Sequence, residues 1–372
     1  MKLLAAIHRW AGGFIGLVLA LLGLSGAILV WEGEWIMLPG ARDPVVENIA
    51  RMAAITERAA AVGELSRITF ASEEIGLHQA IYADGSGAYL RQDGQVVERW
   101  ATPWERPELW LFDLHHRLFV GGTGETVTGI AGLAGLLFVV SGTILWWRSR
   151  RAFRPRLLPA RLAPGPIVSH HRDLGVMAMP LLLISMLTGV LMLFEPVRTM
   201  LLGVEERPKQ TLEASEGRSA AEVLELAKSR FPQADLRRIS LPARAGDPVV
   251  VRMRQPFEWT PNGRTQISVG SNGKVTAEDA AMANGSAWLS EKAYPVHSAK
   301  VGGLAWKLAL TASGVALTIL GSLAVWSFWA RQAHKRARRG GRRRLGASGA
   351  ISLNRRSSPS SDPRSAAHDP RS

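Results

Sequence analysis

The chain has 372 residues, 47% of them apolar, with 45 Lys and Arg against 31 Asp and Glu and no cysteine. The lack of cysteine excludes a disulfide framework, a zinc ribbon, an iron–sulfur cluster on its own thiolates and haem attached through C-x-x-C-H. The net charge of +14 points to a nucleic-acid or membrane partner, and its distribution decides between them.

Four stretches carry no ionisable group: Ala11–Trp31, Thr126–Trp147, Leu174–Phe194 and Leu308–Ala330, of 21, 22, 21 and 23 residues. A hydrocarbon core of about 30 Å needs about 20 helical residues, so each can span. Their many glycines would weaken a helix in water but allow close helix approach in lipid. Trp residues cluster near their ends, as in an aromatic belt. The first stretch is longer than a signal-peptide core and is followed by no A-x-A site, so it reads as a retained anchor.

Lys and Arg mark the cytoplasmic segments. Residues 1–10 hold two and no acid, 148–172 hold seven Arg and no acid, and 331–372 hold twelve against two Asp. The two long connections are slightly acidic. The positive charge is therefore a topology signal, with both termini cytoplasmic and no nucleic-acid partner required.

The expected organisation is a first transmembrane helix with a short cytoplasmic N-terminus (1–31), an outer domain (32–125), a second helix (126–147), an Arg-rich cytoplasmic loop (148–173), a third helix (174–194), a second outer domain (195–303), a fourth helix (304–330) and a disordered basic tail (331–372). The fold class is thus a membrane all-α four-helix bundle with two outer α+β domains. Each outer domain reads as a helix followed by strands. Val45–Ala61 precedes "RITFA", "HQAIYA", "GAYLRQ" and "QVVERW"; Ser219–Arg230 precedes "LRRISLP", "PVVVRMR", "TQISVG" and "GKVTAE", with Asn-Gly turns at 262–263 and 272–273.

The two halves repeat. "HRWAGG" opens at His8 and "HRDLGV" at His171; eighteen residues on lie Gly26 and Gly189, preceded by Ser25 and Thr188. His115 and His297 each stand six residues before a glycine, Gly121 and Gly303. This is an internal duplication of a helix–domain–helix unit, and it places a histidine at the start of every span, two at each membrane face.

That arrangement suits b-type haem held only by axial ligands and packing. His8 with His171 forms an inner site and His115 with His297 an outer one. Neutral imidazole ligates iron well and is tolerated near lipid. A histidine at a helix end also often sits at the interface without a metal. His116 and His170 compete with their neighbours, but adjacent helical residues point about 100° apart, and the repeat favours His115 and His171. Met177, Met179 and Met186 are alternative axial ligands, though methionine in such helices usually packs.

At "IHRWAGGFIGLVLALLGLSGAIL", "LHHRLFVGGTGETVTGIAGL", "SGTILWW", "HRDLGVMAMPLLLISMLTGV", "YPVHSAKVGGLAWKLAL" and "GSLAVWSFWAR" the chain resembles the PepSY-associated transmembrane family, the iron-regulated membrane proteins that include ferric-siderophore reductases. The resemblance implies a bacterial inner-membrane protein with periplasmic PepSY-like domains, two b-haems on His8, His171, His115 and His297, and reduction of a periplasmic ferric siderophore for iron uptake. The second half departs from the first by three residues between His297 and Gly321, against His115 to Gly142. No dinucleotide fingerprint is present, so a separate cytoplasmic donor such as a flavoprotein would supply electrons. Trp100, Trp104, Trp110, Trp259 and Trp288 are either aromatic docking surface or domain core. The alternative function is a non-redox, membrane-anchored PepSY protein that binds peptide or regulates a peptidase. A transporter and a hydrolase have less support, for want of charges within the spans or a nucleophile elbow.

Overall fold

The computed structural model describes residues 1–156, 158–203, 209–212, 219–283 and 285–354. The first half runs α1 (Lys2–Leu29), a short α2 (Glu32–Trp35), α3 (Ile49–Val62), β1 (Leu65–Thr69), β2 (His78–Tyr82), β3 (Gly87–Leu90), β4 (Val96–Trp100), α4 (Pro107–Arg117) and α5 (Gly121–Trp147). The second runs α6 (Pro164–Leu193), α7 (Glu195–Leu202), β5 (Lys209–Leu212), α8 (Ala220–Arg230), β6 (Asp235–Ser240), β7 (Val249–Arg254), β8 (Thr265–Val269), β9 (Val275–Glu278), α9 (Gly285–His297) and α10 (Gly303–Asn354).

Helices α1, α5, α6 and α10 are long and apolar enough to cross a membrane. Their outward faces carry exposed apolar side chains such as Phe14, Leu17, Leu24, Ile130, Leu137 and Val315, which suits contact with lipid rather than water. The inner faces pack Leu19, Leu22, Leu182, Leu317 and Leu320 into one core. Helices α1 and α10 approach most closely. A Cβ on Gly23 would lie 2.6 Å from the Gly314 carbonyl oxygen, and one on Gly16 would lie 2.8 Å from that of Gly321. The two glycines on each helix are seven residues apart, so the backbones touch at two levels.

The strands form one nine-stranded antiparallel sheet in the order β4-β3-β2-β1-β6-β7-β8-β9-β5. Strands β1 and β6 join the halves through Arg67↔Ser240, Ile68↔Ile239 and Thr69↔Arg238. Helices α3 and α8 cover one face, and Met52, Ile55, Ile68, Leu224, Ile239 and Val251 share a single core. The two segments read as separate domains are therefore one body. Local patterning set each strand, but pairing across about 170 residues leaves no local trace.

Local chemistry accounts for the ends. Asn48 caps α3 by accepting from the Arg51 N–H at 2.9 Å. Ser219 and Glu222 form a reciprocal capping box at α8. Gly263 and Gly273 take the positive φ, +64° and +78°, of the two Asn-Gly turns.

Three expectations change. The expectation of disorder from Arg331 changes: α10 continues to Asn354, through a segment rich in Arg and Ala that lacks proline before Pro359; residues 355–372 lie outside the described residues. Trp100 is core, 3% exposed, with its Nε1 donating to the Gly85 carbonyl, whereas Trp104, Trp259 and Trp288 are exposed. The histidines before spans two and four do not start those spans: they end the separate helices α4 and α9.

Candidate functional site

His8 on α1 and His171 on α6 face each other near one end of the bundle, ring centres 6.4 Å apart and planes at 81°. His115 at the end of α4 and His297 at the end of α9 meet near the other, beside the sheet, at 6.2 Å and 42°. Each pair lines a cavity, of about 380 Å³ around His8 and His171 and about 160 Å³ around His115 and His297. Leu19, Met186 and Leu317 line both cavities and so form the layer between them.

The small–Gly pairs seat the rings. Ser25 Oγ lies 3.0 Å from His115 Nδ1, and a Cβ on Gly26 would come within 2.9 Å of His115 Cε1. On α6, Thr188 Oγ1 lies 3.1 Å from His297 Nδ1, and a Cβ on Gly189 would come within 3.0 Å of His297 Cε1. Ser141 and Gly142 of α5 treat His8 likewise, with Oγ 2.8 Å from Nδ1 and a virtual Cβ 3.5 Å from Cε1. The eighteen residues from His8 to Gly26, and from His171 to Gly189, amount to about 27 Å along a helix. That spacing is the offset between a histidine of the first pair and the seat of a histidine of the second.

These contacts fix which nitrogen carries the proton. His297 Nδ1 also meets the Ser185 carbonyl at 3.0 Å, which can only accept, so Nδ1 is the donor. The Ser25 hydroxyl donates to the Leu21 carbonyl at 2.8 Å, and the Thr188 hydroxyl donates to that of Ile184 at 2.7 Å; their oxygens then accept from the rings. The neutral imidazole keeps its lone pair on Nε2. Among the described residues none of the four Nε2 atoms has a hydrogen-bond partner. His171 is the exception at Nδ1, which is buried without a hydrogen bond of normal geometry beside the Leu320 carbonyl. The three-residue departure between the halves has its effect here: Gly321 packs on Gly16 rather than on a histidine.

His116 also lines the cavity of His115 and His297, but it stacks on Phe112 at 3.9 Å with its Nδ1 on the Phe112 carbonyl at 3.1 Å. His170 is buried but does not line the inner cavity. Met186 lies between the cavities, and Met177 is exposed. His78 belongs to the sheet and His334 to α10; His368 lies outside the described residues.

The chain turns sharply after each outer histidine. Among the described residues Leu118, Phe119 and Ala299 are the non-glycine residues with positive φ, at 48°, 63° and 55°. Such conformations are costly for branched or bulky residues and collect where the surroundings enforce a geometry.

Sequence reading missed the group at the outer mouth, where Glu32, Tyr294 and Lys300 line the cavity. Lys300 Nζ lies 2.8 Å from Glu74 of the sheet, tying the sheet to the site. Burial pushes the Glu32 carboxyl up to about 7; Lys300 opposes this, and Glu74 and Glu108 add to it. The only signal in the sequence was an acid at the exit of the first span.

Among the described residues no three His, Cys, Asp or Glu side chains gather as a metal site. A paired-histidine site suits instead an iron whose remaining ligands come with the cofactor. Two metal–imidazole bonds of about 2 Å each, plus about 1 Å from nitrogen to ring centre at either side, put ring centres about 6 Å apart. The donor set, its tautomers and the glycine cradles therefore fit a b-type haem.

The description "PepSY-associated TM region" matches residues 5–331, a stretch that takes in both histidine pairs and the whole sheet. The chain belongs to this family. As a PepSY-associated transmembrane protein it is a multi-pass membrane protein with an α+β sheet body. No curated protein matches it significantly.

Proposed function

We propose that the chain is a di-haem b protein of the bacterial inner membrane that carries electrons from a cytoplasmic donor to a periplasmic ferric chelate, such as a siderophore. The observation that carries this reading is the pair of facing histidine couples, stacked through one bundle with the Nδ1 atoms of His8, His115 and His297 engaged on the wall. Their fit is to b-type haem, which when bound supplies a reversible one-electron couple.

The protein's own groups do the rest. Ser141, Ser25 and Thr188 orient the rings and raise their basicity. Leu19, Met186 and Leu317 keep the space between the sites dry. At the outer mouth Lys300 offers a cation and Glu32 and Tyr294 offer polar edges to a chelate. One electron converts ferric to ferrous iron, which hard oxygen donors hold less tightly. The Lys and Arg distribution supports cytoplasmic termini and a periplasmic sheet. The matching seats of His115 and His297 support an internal duplication.

The test is a reduced-minus-oxidised spectrum of the detergent-purified chain with haem quantified. We expect low-spin b-type bands and about two haems per chain. His8→Ala or His171→Ala should remove one haem, and His115→Ala or His297→Ala the other. Full haem in all four variants would overturn the ligand assignment. A colourless protein made with ample haem would favour the anchored, non-redox alternative.

A further inference from the structure

A second kind of cavity, of about 530 Å³, lies in the sheet body and is lined by no residue of the four long helices. It opens where the end of β1 meets the starts of β2 and β6, so it straddles the seam between the two halves. Beyond β1, the Phe70 N–H donates to the Arg237 carbonyl at 2.9 Å, and the next N–H, of Ala71, donates to His78 Nδ1 at 2.9 Å. These contacts bring His78 and Arg237 to either side of one strand end, and both side chains line the cavity.

Both are more than nine-tenths buried, His78 being 3% exposed and Arg237 2%. Because His78 Nδ1 accepts, the proton of the neutral ring is on Nε2, and that N–H has no hydrogen-bond partner among the described residues. Burial holds the ring neutral, with its pKa lowered to about 4. Arg237 stands at a β-bulge, where the register against β7 shifts between Leu236 and Arg238. Bulges re-aim side chains and recur beside binding sites. Its Nη2 is shared by Glu73 and Asp235, each at 3.0 Å. Its Nε is buried without a partner, and its Nη1 makes no hydrogen bond. Arg237 Nε is thus an unsatisfied buried donor at the cavity wall, although buried donors are nearly always paired, and His78 on β2, with β1 between the two strands, brings a second donor to the same cavity.

We propose that this seam cavity binds a small organic monocarboxylate, its oxygens accepting from Arg237 and from His78 Nε2–H. One guanidinium and one neutral ring suit a single negative charge and a planar, two-oxygen acceptor. A dianion such as phosphate would face Glu73, Asp235 and Asp43 at close quarters. The remainder of the ligand would lie against Val45, Val46, Met52 and Phe70, which complete the wall. The site is separate from the histidine pairs and does not depend on the function proposed for them.

The experiment is isothermal titration of the full chain in detergent with N-acetylglycine, N-acetylglycinamide and inorganic phosphate, each up to about 10 mM. N-acetylglycine should bind saturably, and the amide, which has the same shape but no charge, at least about tenfold more weakly. His78→Asn and Arg237→Gln should each weaken N-acetylglycine by about tenfold or more and leave the haem content unchanged. The acid–amide comparison uses the unaltered protein, so it decides the matter even where a variant misfolds. Equal binding of acid and amide, no saturable binding of the acid, tighter binding of phosphate, or an unchanged affinity in a folded His78→Asn chain would each overturn the proposal.

Discussion

At the scale of single residues, the second partner of each imidazole sets how firmly it is held. His8 Nδ1 has only the Ser141 hydroxyl, whereas His297 Nδ1 has both Thr188 and the Ser185 carbonyl. On the proposed function, Ser141→Ala should therefore weaken haem binding at His8 and His171 by about 10–100-fold, while Thr188→Ala, which leaves the carbonyl in place, should change binding at the other pair far less. Haem titration of the apo-protein measures both, and a larger loss in Thr188→Ala would contradict the account. Glu32 gives a pH dependence with a definite sign. Its carboxyl is raised from 4.5 to about 7 in the folded chain, so between those values the folded state holds a proton that the unfolded state releases. Stability falls as pH rises through that window. Melting in detergent at pH 5 and pH 7.5 should show a larger drop for the wild type than for Glu32→Gln; equal drops would refute it. The two histidine pairs were legible in the sequence because the repeat put histidines in equivalent frames. The small–Gly pairs were visible too, but not their purpose, since His115 is 90 residues from Ser25 and comes from a different helix.

At the scale of elements, the contact of α1 with α10 rests on missing side chains. Any side chain at Gly23 must displace the Gly314 backbone, and forced overpacking costs about 1–3 kcal/mol. Gly23→Leu should lower the melting temperature by several degrees, whereas Gly122→Leu, at a position with nothing within 4 Å of a virtual Cβ, should not. Equal melting of the two variants would show that the contact does not hold the bundle. The spans and the eight paired strands of the two halves could be read from apolar runs and alternation. Helices α4 and α9 could not, because each is short, amphipathic and butted against a span, so that it reads as part of its neighbour. Backbone reversal at Leu118, Phe119 and Ala299, with Gly121, Gly302 and Gly303 also at positive φ, separates them, and the paired glycines of each junction read as the start of a span.

At the scale of the whole molecule, the sheet joins what the chain order keeps apart. Its two halves pair through β1 and β6 and share one core beneath α3 and α8, and the outer histidines come from helices that leave this common body. Lys300 and Glu74, with Lys307 and Glu34, fasten it to the bundle. The orientation of His115 against His297 is thereby coupled to a core that both halves build. No local pattern reports such a seam, for β pairing across this separation is decided by the folded whole.

The layer of Leu19, Met186 and Leu317 has an electrical consequence. It contains no group that could relay a proton or lodge a counter-ion. On the proposed function, each electron that crosses it does so uncompensated, and the protein generates current. Work against or with the membrane potential then amounts to about 2.3 kcal/mol per charge per 100 mV for a full crossing. In sealed vesicles loaded with reductant, the rate of external ferric reduction should respond to an imposed potential and lose that response when an ionophore short-circuits the membrane. A rate indifferent to voltage would mean that a cation travels with the electron, by a path this apolar layer does not offer.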